Sequence, residues 1–496
     1  MINYHKILEH EETLDPQDWT QTRLLAHRMV DDMIDYYMGV KDRPTWQPPT
    51  SEMRNHLTEG LPQTPESIED IYQEFRQNIL PYNKGNVHPR FFSWVEGGGT
   101  PLGMMSDMLA AGMNPNVTIG DHSAMYVDKQ VIEWSKEMFG YPKSASGILV
   151  SGGSLANITA LIVARNQYGE VKAHGLQSIP QKLTLYCSTE THNCVFKGAE
   201  AIGLGTDSIR LIPVDERFEI RMDILKAQIK EDRANGFLPF CLIGNAATVN
   251  TAAVDPLDEM LTFAQQENLW FHIDGAFGAA VKLTPLFSKR MKAIEQADSV
   301  AFDFHKWFYV NYEVGCVLIK DATKHRAAYA QAASYLTAHE RGLPAGPDPI
   351  ANYGMELSRG FKALKVWTSL KEHGVKKYAR LILQNIAQAY YLGELVQNHP
   401  HLELLTPVTL NIVCYRYNPG GMTIEELNVL NQELLMRMHE SGIAAPSYTM
   451  INGKYAIRVA NCNHRSRKED FEILVKATVE LGSKIAEEKT PILMVV

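Results

Sequence analysis

Ser299-Val300-Ala301-Phe302-Asp303-Phe304-His305-Lys306-Trp307 is a mostly apolar run that leads into a lysine, and Ile273-Asp274-Gly275-Ala276-Phe277-Gly278, about thirty residues upstream of that lysine, carries an aspartate where a second apolar run stops. Runs of this kind read as strands buried on both faces, as in a parallel sheet covered by helices. Ligands of such sheets bind beyond the carboxyl ends of the strands, so Lys306 and Asp274 are expected to face one cleft. Outward from this pair, the rhythm repeats from about residue 86 to 320: segments 147–150, 183–187, 240–243, 269–273, 299–304 and 314–319 are short apolar runs separated by helical patterns. The expected fold class is α/β with a mainly parallel or mixed sheet.

Alone, Lys306 reads as a solvated strand-end lysine and Asp274 as a turn or capping residue. Together they suit pyridoxal 5'-phosphate, because a primary amine can form a Schiff base with the cofactor aldehyde while a carboxylate keeps the pyridine nitrogen protonated. A desolvated ammonium is also expected to give up its proton more readily than a guanidinium. Ser151-Gly152-Gly153-Ser154 follows the strand Gly147–Val150 and precedes a helix with Leu155, Ile158, Leu161 and Ile162 on its apolar positions. A strand-to-helix turn is the plain reading; a phosphate placed there would meet free N–H groups, the positive end of the helix and the Ser154 hydroxyl.

The 496 residues are enough for more than one substructure, and 45% hydrophobic content is ample for a large core. A formal charge of −9, from 48 basic and 57 acidic residues, argues against attraction to nucleic acid or an anionic membrane and leaves a small metabolite as the expected partner. Six cysteines without a CxxC pair argue for reduced thiols and no structural zinc. The N-terminal MINYHKILEHEETLD lacks a secretory apolar run and no segment approaches ~18 continuous apolar residues, so a soluble cytoplasmic protein is expected.

At the N-terminal end, Pro16 to Val40 carries Leu24, Leu25, Met29, Met33, Ile34 and Tyr37 at helical spacing, with Asp15 as its expected cap, and Arg43 to Pro65, with five prolines, reads as an extended connection. Residues 321–350 are weakly patterned and too long for a connector, which suggests an active-site lid. Gly354 to about Val396 reads as helical, and strands are expected near 411–415 and 455–459. His464 to Lys468 reads as a solvated basic turn.

The segments SGGSLAN, STETHN, HIDGAFG and HKW, in this order along the chain, resemble the group II pyridoxal-phosphate amino-acid decarboxylases, of which aromatic-L-amino-acid decarboxylase is the best-known member. The resemblance runs from roughly Trp19 into the C-terminal region. It implies fold type I: an N-terminal helical dimerisation arm (1–85), a large domain on a seven-stranded, mainly parallel sheet (86–375, with the lid at about 321–350) and a smaller C-terminal α/β domain (376–496). A homodimer with its active site at the subunit interface is implied as well.

By the same resemblance, Lys306 carries the cofactor, Asp274 pairs with its ring nitrogen, His192 stacks on the ring, Gly153, Ser154 and His305 hold the phosphate, and Ala276 lies against the cofactor. Thr248 falls in a segment that lines the ring, with Thr251 equally placed by type. Tyr335 matches the lid tyrosine that returns a proton after carbon dioxide has left, a step suited to a phenol in a closed, dry site. Relatives with phenylalanine there tend toward oxidative aldehyde formation, so tyrosine implies plain decarboxylation.

His88-Pro89-Arg90-Phe91-Phe92-Ser93-Trp94 matches the substrate-channel segment, with Trp94 as an aromatic wall and Phe91 and Phe92 near the mouth. Glu96 stands where relatives usually have proline. It would favour a distal ammonium or hydroxyl on the substrate, or else points to solvent or pairs with Arg90. Asn116 and Thr118 occupy positions that in aromatic decarboxylases are apolar and lent by the other subunit, while Ser358 matches a position where a small polar residue accompanies phenolic substrates.

The expected reaction is decarboxylation of an L-amino acid, aromatic by default (tyrosine, DOPA or tryptophan), with polar, basic or acidic substrates as the alternative. An aldehyde synthase or an aminotransferase on the same fold is a further reading, the latter needing an arginine such as Arg458 to grip the α-carboxylate. A cofactor-binding subunit without turnover is opposed by the joint presence of Lys306, Asp274, His192 and Tyr335.

Overall fold

The computed structural model describes residues 6, 8–331 and 339–493. Strand β1 (Phe91–Phe92) is followed by β2 (Ser146–Val150), β3 (Leu183–Ser188), β4 (Ile209–Ile212), β5 (Leu238–Asn245), β6 (Trp270–Asp274), β7 (Ser299–Asp303) and β8 (Gly315–Ile319). The last seven form one sheet in the order β2-β8-β7-β6-β5-β3-β4. β8 pairs antiparallel with both neighbours, and the pairs from β7 to β4 are parallel.

The uninterrupted apolar runs have a direct cause. Ile273, Val300, Phe302, Cys316 and Leu318 enter one core layer, while Ile243, Ala301, Val317 and Ile319 enter the other. Successive side chains point to opposite faces, and here both faces are dry. Each fully buried Val, Leu, Ile or Phe contributes roughly 1.5–3 kcal/mol.

Strands β9 (Leu402–Leu404), β10 (Ile412–Tyr417), β11 (Ala445–Ile451) and β12 (Lys454–Ala460) form a second sheet, and β1 joins it by pairing parallel with β11. Its core holds Phe92, Val413, Tyr415, Leu430, Leu434, Val459 and Phe471. Phe91 and Phe92 are therefore sheet and core residues, buried at 5% and 0% exposure, and do not stand at the cavity mouth as the sequence suggested.

Four other expectations change. Helix α1 spans Trp19–Met38, and its N-cap is Asp18, whose carboxylate accepts from Thr20 and Gln21 N–H; Asp15 lies too far upstream. The proline-rich connection contains a short helix, Ser51–His56, capped by Thr50. The lid segment opens with helix Ala322–Tyr329, capped by Asp321 and tied down where Lys172 Nζ donates to Ala327 O and Ala330 O. His464 to Lys468 is not a solvated turn: Arg465 donates to Gly98 O and Gly99 O, and His464 Nε2 meets Gly99 O at 3.0 Å. Those glycine carbonyls need donors, and the basic residues supply them.

Among the described residues, no helix is long and apolar enough to cross a membrane. All six cysteines are free and buried.

Candidate active site

β6 and β7 end side by side, and their ends are tied by Gly275 N–H donating to Ala301 O and Asp303 N–H to Ala276 O, both at 2.9 Å. Asp274 is the last residue of β6. Its Oδ1 accepts from Ala276 N–H at 3.0 Å, and the Cys194 thiol lies 3.9 Å from Oδ2. Lys306 follows β7 by three residues and is followed by Trp307, which anchors this stretch of chain in the core. That indole is fully buried and donates to Asn385 Oδ1, which also accepts from Tyr309 Oη at 2.7 Å. Trp307→Ala would cost about 3–5 kcal/mol.

A cavity of about 500 Å³ opens at these strand ends, and among its walls are Trp94, Glu96, Gly153, Ser154, His192, Asp274, Ala276, Asp303, His305 and Lys306. Nine of the residues expected from sequence therefore meet in one place. Helix α2 (Gly153–Arg165) points its N-terminus at the cavity, and its N-cap, Gly152, has no side chain to satisfy the first N–H groups. Those donors remain for an anion, and Ser154 adds an exposed hydroxyl. A Cβ at Gly153 would lie 2.8 Å from Asp303 Oδ2, so the turn approaches the strand end as only glycine allows.

Asp303 is a site residue that sequence reasoning missed. It is 1% exposed, its Oδ2 lies 3.0 Å from Lys306 Nζ, and among the described residues neither oxygen accepts any other hydrogen bond. Burial pulls the Lys306 ammonium down, but the charge and contact of Asp303, with Asp274 behind it, outweigh that and hold it above the ordinary lysine value. This reverses the expectation that desolvation alone would ease its deprotonation. The available signal was a carboxylate three residues before the lysine, inside a run otherwise apolar.

His305 Nδ1 lies 3.1 Å from Val314 N and 3.0 Å from Val314 O, its Nε2 is 3.8 Å from Asp303 Oδ2, and burial lowers its pKa. His192 Nδ1 accepts from Cys194 N–H at 3.2 Å, which leaves Nε2 as the nitrogen able to meet a ligand. At the mouth, Glu96 pairs with Lys84, and the Lys84 ammonium also lies 4.2 Å from the Trp94 ring centroid. The pairing of Glu96 with Arg90 does not hold, since Arg90 pairs with Asp470, and at 14% exposure the Glu96 side chain is not turned out to solvent. Gly97 fixes this turn: its N–H donates to His305 O, and a Cβ there would stand 2.5 Å from both His305 O and Lys306 O.

The remaining expected residues lie elsewhere. Thr248 and Thr251 hydrogen-bond each other at 3.1 Å within a buried turn, and the cavity wall is made by their neighbours Ala247 and Val249. Asn116 and Thr118 do not line the cavity; the Thr118 hydroxyl donates to Leu357 O, and Asn116 Oδ1 accepts from Arg359 N–H. Ser358 is exposed and away from the cavity. Arg458 is buried and committed to Val249 O, Asn250 O and Trp94 O, so its guanidinium is not presented to a carboxylate. Tyr335 lies outside the described residues.

A lysine and an aspartate at the ends of adjacent parallel strands, facing an uncapped helix N-terminus, define a fold-type I pyridoxal-phosphate enzyme, and the donor set fits that cofactor. Comparison with known proteins gives the family. Residues 49–418 match the pyridoxal-dependent decarboxylase conserved domain, and the chain belongs to this family as a pyridoxal-phosphate-dependent amino-acid decarboxylase. It is 34% identical to an aromatic-L-amino-acid decarboxylase of Bacillus atrophaeus over 92% of this chain and 94% of the relative. It is 26% identical to a phenylacetaldehyde synthase of Arabidopsis thaliana over 90% of this chain and 93% of the relative. The crystal structure of Catharanthus roseus tryptophan decarboxylase in complex with L-tryptophan superposes with a TM-score of 0.84 at 24% identity, covering 95% of this chain and all of that one.

Proposed function

We propose that the enzyme converts an aromatic L-amino acid, of the tyrosine, DOPA or tryptophan type, to its amine and carbon dioxide. The observation that carries this reading is at the mouth: Glu96 is already matched by Lys84, so the wall offers a substrate the Trp94 ring rather than an unpaired carboxylate. The names of the relatives point the same way.

When bound, pyridoxal phosphate supplies a sink for the electron pair left as the α-carboxylate departs. In this reading Lys306 carries the cofactor, and its proton passes by way of Asp303, the only charge within contact of Nζ among the described residues. Asp274 keeps the ring nitrogen protonated, Gly153, Ser154 and His305 hold the phosphate end, and His192 lies over the ring. Tyr335 returns a proton to Cα. Asp303 holds the Lys306 ammonium in the cofactor-free protein, and the same carboxylate would receive the lysine once a substrate amine displaces it.

The reading includes a homodimer in the cytoplasm. Among the residues of α1 only Leu25 is buried, while Trp19, Leu24 and Met38 are 63%, 61% and 76% exposed, a face that a second copy would cover.

The test is a panel of aromatic, acidic and basic L-amino acids with added pyridoxal phosphate, scored for carbon dioxide and for amine against aldehyde. Aromatic substrates giving amine support the proposal. Reaction with basic or acidic substrates alone, or aldehyde with consumed oxygen, overturns it. Tyr335→Phe is expected to lose amine output; unchanged output would remove Tyr335 from the mechanism.

A further inference from the structure

Beneath the cavity, a chain of four buried side chains joins the strand that carries Asp274 to the phosphate turn. Trp270 Nε1 donates to Ser299 Oγ at 2.8 Å, and Ser299 Oγ meets His272 Nδ1 at 2.8 Å. His272 Nε2 meets Asn157 Oδ1 at 2.6 Å, and Asn157 Nδ2 donates to Gly153 O at 2.8 Å. Trp270 and His272 lie on β6, Ser299 begins β7, and Asn157 stands one turn into α2. Trp270 is 6% exposed, and Ser299, His272 and Asn157 are at most 1% exposed.

The direction of every bond in this chain follows from its far end. Gly153 O can only accept, so the Asn157 atom facing it is the amide NH2, and Oδ1 must face His272. Nε2 of His272 therefore carries the proton. Burial lowers the His272 pKa to about 4, so the ring is neutral near pH 7 and Nδ1 is bare. Nδ1 then accepts the Ser299 hydroxyl proton, and the indole, which can only donate, occupies a Ser299 lone pair. Donor-only and acceptor-only groups at the two ends leave a single consistent arrangement.

We propose that Asn157 is a positioning residue for the phosphate turn, oriented by the relay from Trp270 through Ser299 and His272. Its amide ties down the Gly153 carbonyl and so fixes the turn whose N–H groups face the cavity. Asn157 also lines that cavity, and its second amide N–H is not used by Gly153. Because His272 is two residues before Asp274, the relay sets the distance between the group that holds the cofactor ring and the turn that holds its phosphate. This role is the same whichever amino acid is decarboxylated.

The experiment uses the full chain stripped of cofactor, titrated with pyridoxal phosphate and followed by quenching of protein fluorescence, with the melting temperature of each cofactor-free variant measured alongside. Asn157→Asp cannot donate its side chain to Gly153 O and sets a buried carboxylate oxygen against that carbonyl, so it is expected to weaken cofactor binding about tenfold or more. His272→Leu is expected to weaken it similarly, whereas His272→Gln, whose amide can present an N–H near the Nε2 position, should stay within about threefold of wild type. Wild-type affinity in Asn157→Asp, or equal losses in His272→Leu and His272→Gln, overturns the proposal. A second reading needs no variant: ¹⁵N spectra of histidine-labelled cofactor-free protein should place His272 in the Nε2–H tautomer between pH 6 and 8, about two units or more above its low pKa. The Nδ1–H tautomer would contradict the relay.

Discussion

On the floor of the cavity, Lys306, Asp274, Asp303 and His305 are each fixed by a near neighbour and by strand ends tied to one another, while at the mouth Trp94 is 55% exposed and Glu96 answers to Lys84, a flexible and half-exposed lysine. The floor is built to place charges to within a fraction of an ångström. The mouth is built from groups that can move, and surface pairs of this kind contribute little to stability. Under the proposed function the two halves of the activity divide the same way, with the chemistry on the tightly held floor and the choice of substrate at the mouth, where adjustment is cheap.

Substitutions can break this contrast, beginning with the floor. Lys306→Ala should lower amine formation by about 10³-fold or more, since no other lysine lines the cavity among the described residues, and steady-state assay of carbon dioxide release reads this directly. Asp274→Asn should cost about 10²-fold in kcat and weaken cofactor binding, because an amide does not hold the ring nitrogen protonated.

Asp303→Asn sharpens the account through pH. With the carboxylate present the Lys306 pKa is raised, so near neutral pH the amine is mostly protonated and slow to bond the cofactor aldehyde. Removing the negative charge lowers that pKa, and the rate of cofactor capture by the stripped protein at pH 7 to 8 should rise, by about tenfold for each unit the pKa falls. A slower capture with an unshifted pH profile would show that Asp303 acts on something other than the ammonium. At the mouth, Lys84→Ala and Glu96→Gln should change KM by less than about tenfold and leave kcat nearly intact, the mark of uniform binding.

The sheet was legible because its strands are buried on both faces, and double burial writes itself as apolar runs such as 299–304. β4 escaped notice because it is an edge strand with Leu211 45% exposed, and β11 because Pro446 and the alternating exposure of Tyr448 and Met450 break the run. Of the site, Lys306 and Asp274 were legible as ionisable residues at the ends of such runs. Asp303 was hidden inside its strand, where its side chain looked like one more member of the run. Lys84 was hidden for another reason: it meets Glu96 across twelve residues of irregular chain, a separation without periodicity to betray it. The relay under Asn157 was invisible because it joins two strands and a helix through side chains whose types are each common in cores.

The central claim is that Lys306, held by Asp303, is the residue that carries the cofactor. Borohydride reduction of the cofactor-loaded enzyme followed by peptide mass mapping tests it most directly. The pyridoxyl mass should appear on Lys306 alone and vanish in Lys306→Ala; its appearance on another lysine, or its persistence in that variant, would contradict the account.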